Sequence, residues 1–214
     1  MSPQLPSLDG VAKLVSVMDR LRSPGGCPWD REQTHVSLLP YVVEEAHELV
    51  EAVETGSRDD MLEELGDVLL QVVFHARIGQ EDGEAPFDLD DVARRTAAKL
   101  VARHPHVFGD VHAPDAETVK ANWDQIKQAE KGRESVLDGV PPGLGAVGRA
   151  QKLASRAARA GLEVPGPEAD GPGERLLRLV LEAQRAGVDA EAELRAATRA
   201  WEEQARAIEA RTRL

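Results

Sequence analysis

Aromatic side chains are scarce in this chain: three Trp, three Phe and one Tyr among 214 residues. With Ala, Leu, Val, Glu and Arg abundant, that scarcity favours helices over sheets. Cysteine is nearly absent too. The lone Cys27 cannot form an intrachain disulfide, so a reducing cytoplasm is the expected setting. No apolar run approaches the roughly 18 residues that span a bilayer, and the first residues lack a leader pattern, so no membrane association is expected. Excess positive charge is missing as well. The formal net charge is −12; residues 149–214 carry 12 basic and 11 acidic side chains, which leaves −13 on the first 148. So acidic a first half argues against a nucleic-acid backbone as partner and tolerates bound cations. The length allows one or two domains and a sizeable core.

What is present is mostly helical periodicity. Residues 8–22 place Val11, Leu14, Val15, Met18 and Leu21 on one side. Ser23-Pro24-Gly25-Gly26-Cys27-Pro28-Trp29 is a breaker, after which Asp30 and Gln33 have the spacing of a capping box. Pro40 starts or bends a helix that Gly56-Ser57 ends, and another runs from about Asp59 to Gly79. Further helices are expected at 88–103, 115–131, 149–161 and through a long region, 174–211. Pro/Gly-rich stretches at 139–148 and 164–173 frame the 149–161 helix. The fold class is all-α. A domain over 8–135, a linker region over 136–173 with one helix, and a C-terminal helical segment over 174–214 are the expected divisions.

Two carboxylate pairs stand out. On the first helix, Val42, Val43, Ala46, Leu49, Val50 and Val53 share a face, and Glu45 and Glu48 follow at its edge. On the second, Met61, Leu62, Leu65, Val68, Leu69 and Val72 share a face, and Glu64 and Asp67 take the matching edge. Most ExxE pairs merely coat solvated helix faces. Here the second helix is also apolar on its other side, through Leu70 and Phe74, so it should be buried and its acids are not simple coating. Antiparallel packing of the two apolar faces would converge four carboxylates on one spot. Such a group needs a cation between its members, and hard oxygen donors suit magnesium or manganese better than zinc.

A metal site alone does not define a reaction, and the basic residues add to it. Lys99 and Arg103 lie at i and i+4 beside His104, and Trp123 and Lys127 repeat that spacing. Cations one turn apart can follow successive phosphates, and an indole can stack on a base, although each alone is more often surface or core. His35, His47, His75, His104 and His106 match no HExxH or Cys/His zinc spacing and are assigned no metal.

Several stretches together resemble the MazG family of nucleoside triphosphate pyrophosphohydrolases: CPWDREQTH (27–35), EEAHE (44–48), LEELGDVLLQVVFHA (62–76), KLVARHPHVFGD (99–110) and NWDQIK (122–127). The resemblance covers residues 8–161. It implies a helical bundle of the all-α NTP pyrophosphatase type, completed by homodimerisation, with Glu45, Glu48, Glu64 and Asp67 as magnesium ligands and Lys99, Arg103, Trp123 and Lys127 on the substrate side. Glu44 belongs to the same motif and is the candidate general base. The implied reaction is NTP + H2O → NMP + PPi, by attack of magnesium-activated water on the α-phosphorus, with nucleoside triphosphates as the ligand class. Within the superfamily, a narrower dUTP-, dCTP- or phosphoribosyl-ATP-type pyrophosphohydrolase shares the metal signature.

Longer MazG proteins carry two tandem copies, and Leu176 to Arg185 has the feel of Leu69 to Arg77. In that register Glu174 takes the place of Asp67 but Gly171 that of Glu64. Ala192 to Ala207 likewise resembles the segment around Ala93 to Ala102, and there Ala200 and Gln204 fall where Lys99 and Arg103 would be. A degenerate, catalytically silent second copy is one reading, and a plain packing hairpin is the other. Two rivals come from other classes. A di-iron bundle needs a second Glu-x-x-His beside Glu44-x-x-His47, and only Glu32-x-x-His35, just before Pro40, offers one. A silent nucleotide-binding adaptor would leave the carboxylates as plain surface.

Overall fold

The structure, a computed structural model, describes residues 10–212 apart from 116, 117, 120, 121, 124, 125, 127–129, 131 and 133. Only helices, and no strand, occur among the described residues. The chain divides into two compact units, Met1–Pro114 and Asp115–Leu214.

The first unit contains α1 (Gly10–Arg22), α2 (Pro28–Glu32), α3 (Leu39–Thr55), α4 (Arg58–Gly79), α5 (Leu89–Arg103) and the single turn α6 (Pro105–Phe108). Helix α4 is its centre and packs against α1, α3 and α5. The core joins Met18 of α1, Leu38 just ahead of α3, and Val73 and Phe74 of α4, with Leu14, Val15, Leu69, Leu70, Ile78 and Leu89 around them. Each large apolar side chain fully buried there contributes about 1.5–3 kcal/mol. Phe87 closes one end, its ring lying so near Gly79 that any Cβ on that residue would meet it at 2.5–2.6 Å.

Chain connections follow local chemistry. Ser57 caps α4: its side chain accepts from the Asp60 amide at 3.2 Å, and Asp60 Oδ2 accepts from the Ser57 amide at 2.7 Å. Asp88 and Asp91 repeat the reciprocal cap on α5. The expected box between Asp30 and Gln33 does not form. Pro28, at the first helical positions, starts α2 early, so Asp30 falls inside the helix and Gln33 becomes its C-cap. Helix α3 carries Pro40 in its first turn, as expected.

The expected packing of the two apolar stripes is only partly realised. Val43 and Val53 of α3 are 56% and 63% exposed, and Leu62 and Leu65 of α4 are 62% and 48% exposed. The helices meet instead along the side that includes Ala52 of α3, which is buried, and the half-buried Glu45, Leu49, Glu64 and Asp67. The reason lies in α4, whose Val73, Phe74 and Ala76 face is committed to the core it shares with α1.

The second unit contains α7 (Ala146–Arg159), α8 (Pro172–Arg185) and α9 (Ala190–Thr212), each packed against the other two. The long helical region expected over 174–211 is therefore two helices, broken at 186–189. Gln151 of α7 fixes that break, donating to the Val188 carbonyl at 2.6 Å and accepting from the Ala190 amide at 2.8 Å. Much of the helix expected over 115–131 lies outside the described residues.

One charged network braces the first unit. Arg22, 7% exposed, donates to both carboxylate oxygens of Glu81 at 3.0 and 2.7 Å, and also to the carbonyls of Asp30 and Gln33. Its guanidinium lies 5.5 Å from the centre of the Phe74 ring. Arg77 bridges Glu81 and Asp19, each at 2.8 Å. Hydrogen bonding from Arg22 is the main cause holding the Glu81 carboxyl below its ordinary value. A lowered folded pKa contributes stability above the unfolded value and loses it as pH falls through the folded one. We expect Glu81→Gln to cost about 1–2 kcal/mol at neutral pH, toward the low end because Glu81 is itself partly exposed. Urea denaturation at a series of pH values should show the gap from wild type narrowing below the ordinary value of 4.5. A gap independent of pH would rule out the carboxylate charge as its source.

Candidate metal centre

Helices α3 and α4 are joined by only Gly56 and Ser57, so they run antiparallel as a hairpin. Electrostatics gives the register. Asp67 is the charge felt most strongly at Glu45, and Glu48 the one felt most strongly at Glu64. Three residues forward along α3 thus match three residues back along α4. One carboxylate oxygen from each of Glu45, Glu48 and Glu64 lies within 4.8 Å of the others. Asp67, half-buried, acts on both Glu45 and Glu64 from the same side.

The cluster is electrostatically unfinished. Loss of water, then repulsion from Asp67 and Glu48, pushes the Glu45 carboxyl above its ordinary range. Loss of water, then Glu48 and Asp67, does the same to Glu64. Glu64 Oε2 is buried and has no hydrogen-bond partner. Among the described residues no Lys or Arg pairs with any of the four acids. Several carboxylate oxygens from two helices, one of them orphaned, make a donor set suited to a hard divalent cation. The residues present therefore fit a metal at this place.

Other expected site residues fall elsewhere. Glu44 is exposed and stands outside the close trio. Lys99 is exposed on α5, a helix that packs on α4, and Arg103 is 7% exposed at the C-terminal end of α5. Trp123 is half-buried in the second unit. Lys127 lies outside the described residues. Glu174 sits in the first turn of α8, and Gly171 is the N-cap there. No second acidic or histidine cluster of this kind occurs among the described residues.

Two features escaped the sequence reading. Gln71, two turns beyond Glu64 on the same face of α4, is buried with its amide oxygen unpartnered. A lone amide inside the apolar run Leu69-Leu70-Gln71-Val72-Val73-Phe74 was its only signal. His35 and His75, 40 positions apart, place their Nδ1 atoms 2.7 Å from each other. No spacing rule links them.

Comparison with known proteins supplies the context. The MazG nucleotide pyrophosphohydrolase domain model matches residues 33–108, which hold all four clustered acids as well as Lys99 and Arg103. An uncharacterised 26.1 kDa protein from Streptomyces cacaoi is 52% identical over 198 residues, 92% of this chain and 81% of that one. The nucleoside triphosphate pyrophosphohydrolase of Escherichia coli strain K12 is 42% identical over 188 residues, covering 85% of this chain and 71% of its own. The nucleoside triphosphate pyrophosphohydrolase/pyrophosphatase MazG of Thermotoga maritima is 46% identical over 158 residues, 73% of this chain and 60% of that one.

A testable asymmetry follows from the raised carboxyls. Stability tied to an elevated folded pKa is fully present below the unfolded value and is lost as pH rises through the folded one. With divalent ions chelated, the melting temperature should fall as pH rises through the upper carboxylate range, and millimolar Mg2+ at pH 7 should restore it. Glu64→Gln should melt higher than wild type in chelator and gain little from Mg2+. Wild type and variant responding alike to Mg2+ would remove Glu64 from the cation site.

Proposed function

Because the chain belongs to the MazG nucleotide pyrophosphohydrolase family, we propose that it cleaves nucleoside triphosphates to a monophosphate and pyrophosphate at the cluster built by α3 and α4. The observation that carries this reading is the trio of carboxylate oxygens within 4.8 Å, together with Glu64, whose Oε2 is buried without a hydrogen-bond partner.

Glu45, Glu48, Glu64 and Asp67 are the residues that would hold magnesium, or manganese in its place. Such an ion, when bound, supplies Lewis-acid polarisation of a phosphate oxygen and lowers the pKa of a coordinated water. The chain's own residues do the rest. Water oxygen bonds to the α-phosphorus, the bond from that phosphorus to the oxygen bridging to the β-phosphate breaks, and pyrophosphate leaves. Glu44, exposed beside the cluster in sequence, takes the proton released by the attacking water. Lys99, Arg103 and Lys127 offset charge on the β- and γ-phosphates and on departing pyrophosphate. Trp123 offers an indole face to the base. No covalent enzyme intermediate is required.

We assign the catalytic domain to residues 8–135, the linker region to 136–173, and a degenerate second copy to 174–214. A homodimer is the proposed assembly. It is supported by the exposed Val43 and Val53 of α3 and Leu62 and Leu65 of α4, apolar residues on the very helices that carry the acids. No helix of the described chain is long and apolar enough to cross a membrane. The lone cysteine accords with a cytoplasmic setting, and the acidic balance with a small anionic substrate held through a cation rather than a nucleic acid.

The test is a product assay on purified protein with several NTPs and dNTPs, with and without Mg2+. Monophosphate plus pyrophosphate, dependent on Mg2+, is the expected result, and relative rates across dNTPs would expose a narrower specificity. Diphosphate plus phosphate would overturn attack at the α-phosphorus, and no product would point to a silent nucleotide-binding protein. Glu45→Ala and Asp67→Ala should each lower kcat by at least about 100-fold with helicity by circular dichroism unchanged.

A further inference from the structure

His35 lies in the turn between α2 and α3, and His75 on α4. Their ring planes are parallel to within 4° and their ring centres are 5.0 Å apart. Parallel planes here do not mean one ring over the other. The 2.7 Å gap between the two Nδ1 atoms plus two imidazole radii accounts for the whole centre-to-centre distance. The rings therefore lie end to end in one plane, the arrangement of a direct N–H···N hydrogen bond.

Such a bond is particular about protons. A neutral imidazole has one N–H and one bare nitrogen, and an imidazolium has no bare nitrogen. The gap accepts one proton, so one Nδ1 must donate and the other must be bare. Two neutral rings satisfy this if they adopt opposite tautomers. One charged and one neutral ring satisfy it too, through a charge-assisted bond. Two charged rings cannot, because two N–H groups and two positive charges would face each other.

The surroundings give the order of protonation. His35 is exposed and faces Asp82, in the loop after α4. Asp82 is held ionised chiefly by the amides of Glu84 and Ala85, and His35 adds to this. His75 is half-buried, and loss of water together with the nearby His35 keeps its imidazole below the ordinary value. Phe87 lies beyond His35 at 6.3 Å between ring centres, and the neighbours within the turn, Gln33, Thr34 and Ser37, are uncharged. Asp82 is the carboxylate coupled to the exposed end of the pair. A second proton on the pair must enter the half-buried His75 ring, where loss of water and the neighbouring His35 both oppose it.

We propose that His35 and His75 form a single-proton latch that pins the turn ahead of α3 to α4 and releases when both rings are protonated. The turn is otherwise compact. Thr34 and Ser37 exchange side-chain bonds to each other's amides at 2.9 and 3.1 Å, and Leu38 anchors it in the core at 1% exposure. Release therefore frees the outer part of the turn, at the entry to the helix that carries Glu45 and Glu48. The latch is independent of the assigned reaction, since neither histidine touches the acidic cluster.

The experiment is a pH titration of the full chain, 15N-labelled at histidine, followed by two-dimensional NMR that separates tautomers. At neutral pH the two rings should show opposite tautomers, and the pair should titrate in two steps separated by more than about one pH unit. In His35→Gln, which changes an exposed residue, His75 should become a single site whose step moves up toward about 6.5. The melting temperature of wild type should fall between pH 7 and 5 by more than that of the variant. That is the sign expected for a depressed imidazole, whose stabilising contribution is lost as pH falls below the unfolded value. Identical tautomers with two coincident, independent steps would overturn the proposal. So would a His75 titration unchanged in His35→Gln.

Discussion

Four carboxylates held together against their own repulsion set the terms for the first unit. Glu45 and Glu48 on α3 meet Asp67 and Glu64 on α4 only because the hairpin fixes an antiparallel register, and that register is opposed by every charge in it. The force that keeps it lies elsewhere. Phe74, Val73, Met18 and Leu38 bury α4 against α1, and the ladder Arg22–Glu81–Arg77–Asp19 braces the far end of α4. Burial worth a few kcal/mol per side chain at one place sustains an unfavourable charge arrangement at another. A bound cation would relieve that imbalance and convert the least comfortable part of the unit into its binding energy.

How much of this is visible in the sequence depends on range. The pairs Glu45/Glu48 and Glu64/Asp67 are legible because helical periodicity places both members of each on one edge, and the connection between helices is too short to allow another partner. The caps are less uniform. Ser57 and Asp88 obey the local rule, whereas Asp30 does not, because the helix begins three positions sooner, at Pro28. Periodicity marks which faces are apolar but not which of two apolar faces goes inside. On α4 both qualify, and Phe74 with Val73 takes the core while Leu62 and Leu65 stay at the surface.

The pairings that sequence could not show are those set by tertiary structure alone. Arg22 and Glu81 are 59 positions apart, and His35 and His75 are 40 apart. Each residue taken singly reads as an ordinary polar side chain. Arg22 becomes structural because the guanidinium is buried beside Phe74, with carbonyls from the α2 turn completing its donors. The two imidazoles become a pair because Leu38 draws their turn onto α4.

Gly56 gives the hairpin one further property. A Cβ there would come within 2.7 Å of the Ala52 carbonyl oxygen, so the chain leaves α3 pressed against its own last turn and enters the Ser57 cap at once. There is no slack in the connection. Adding or deleting one residue inside either helix, between the connection and the acids, would swing one pair about 100° away from the other. Length variation is therefore barred from this stretch and must be taken up elsewhere, in segments such as the acidic loop of residues 80–88.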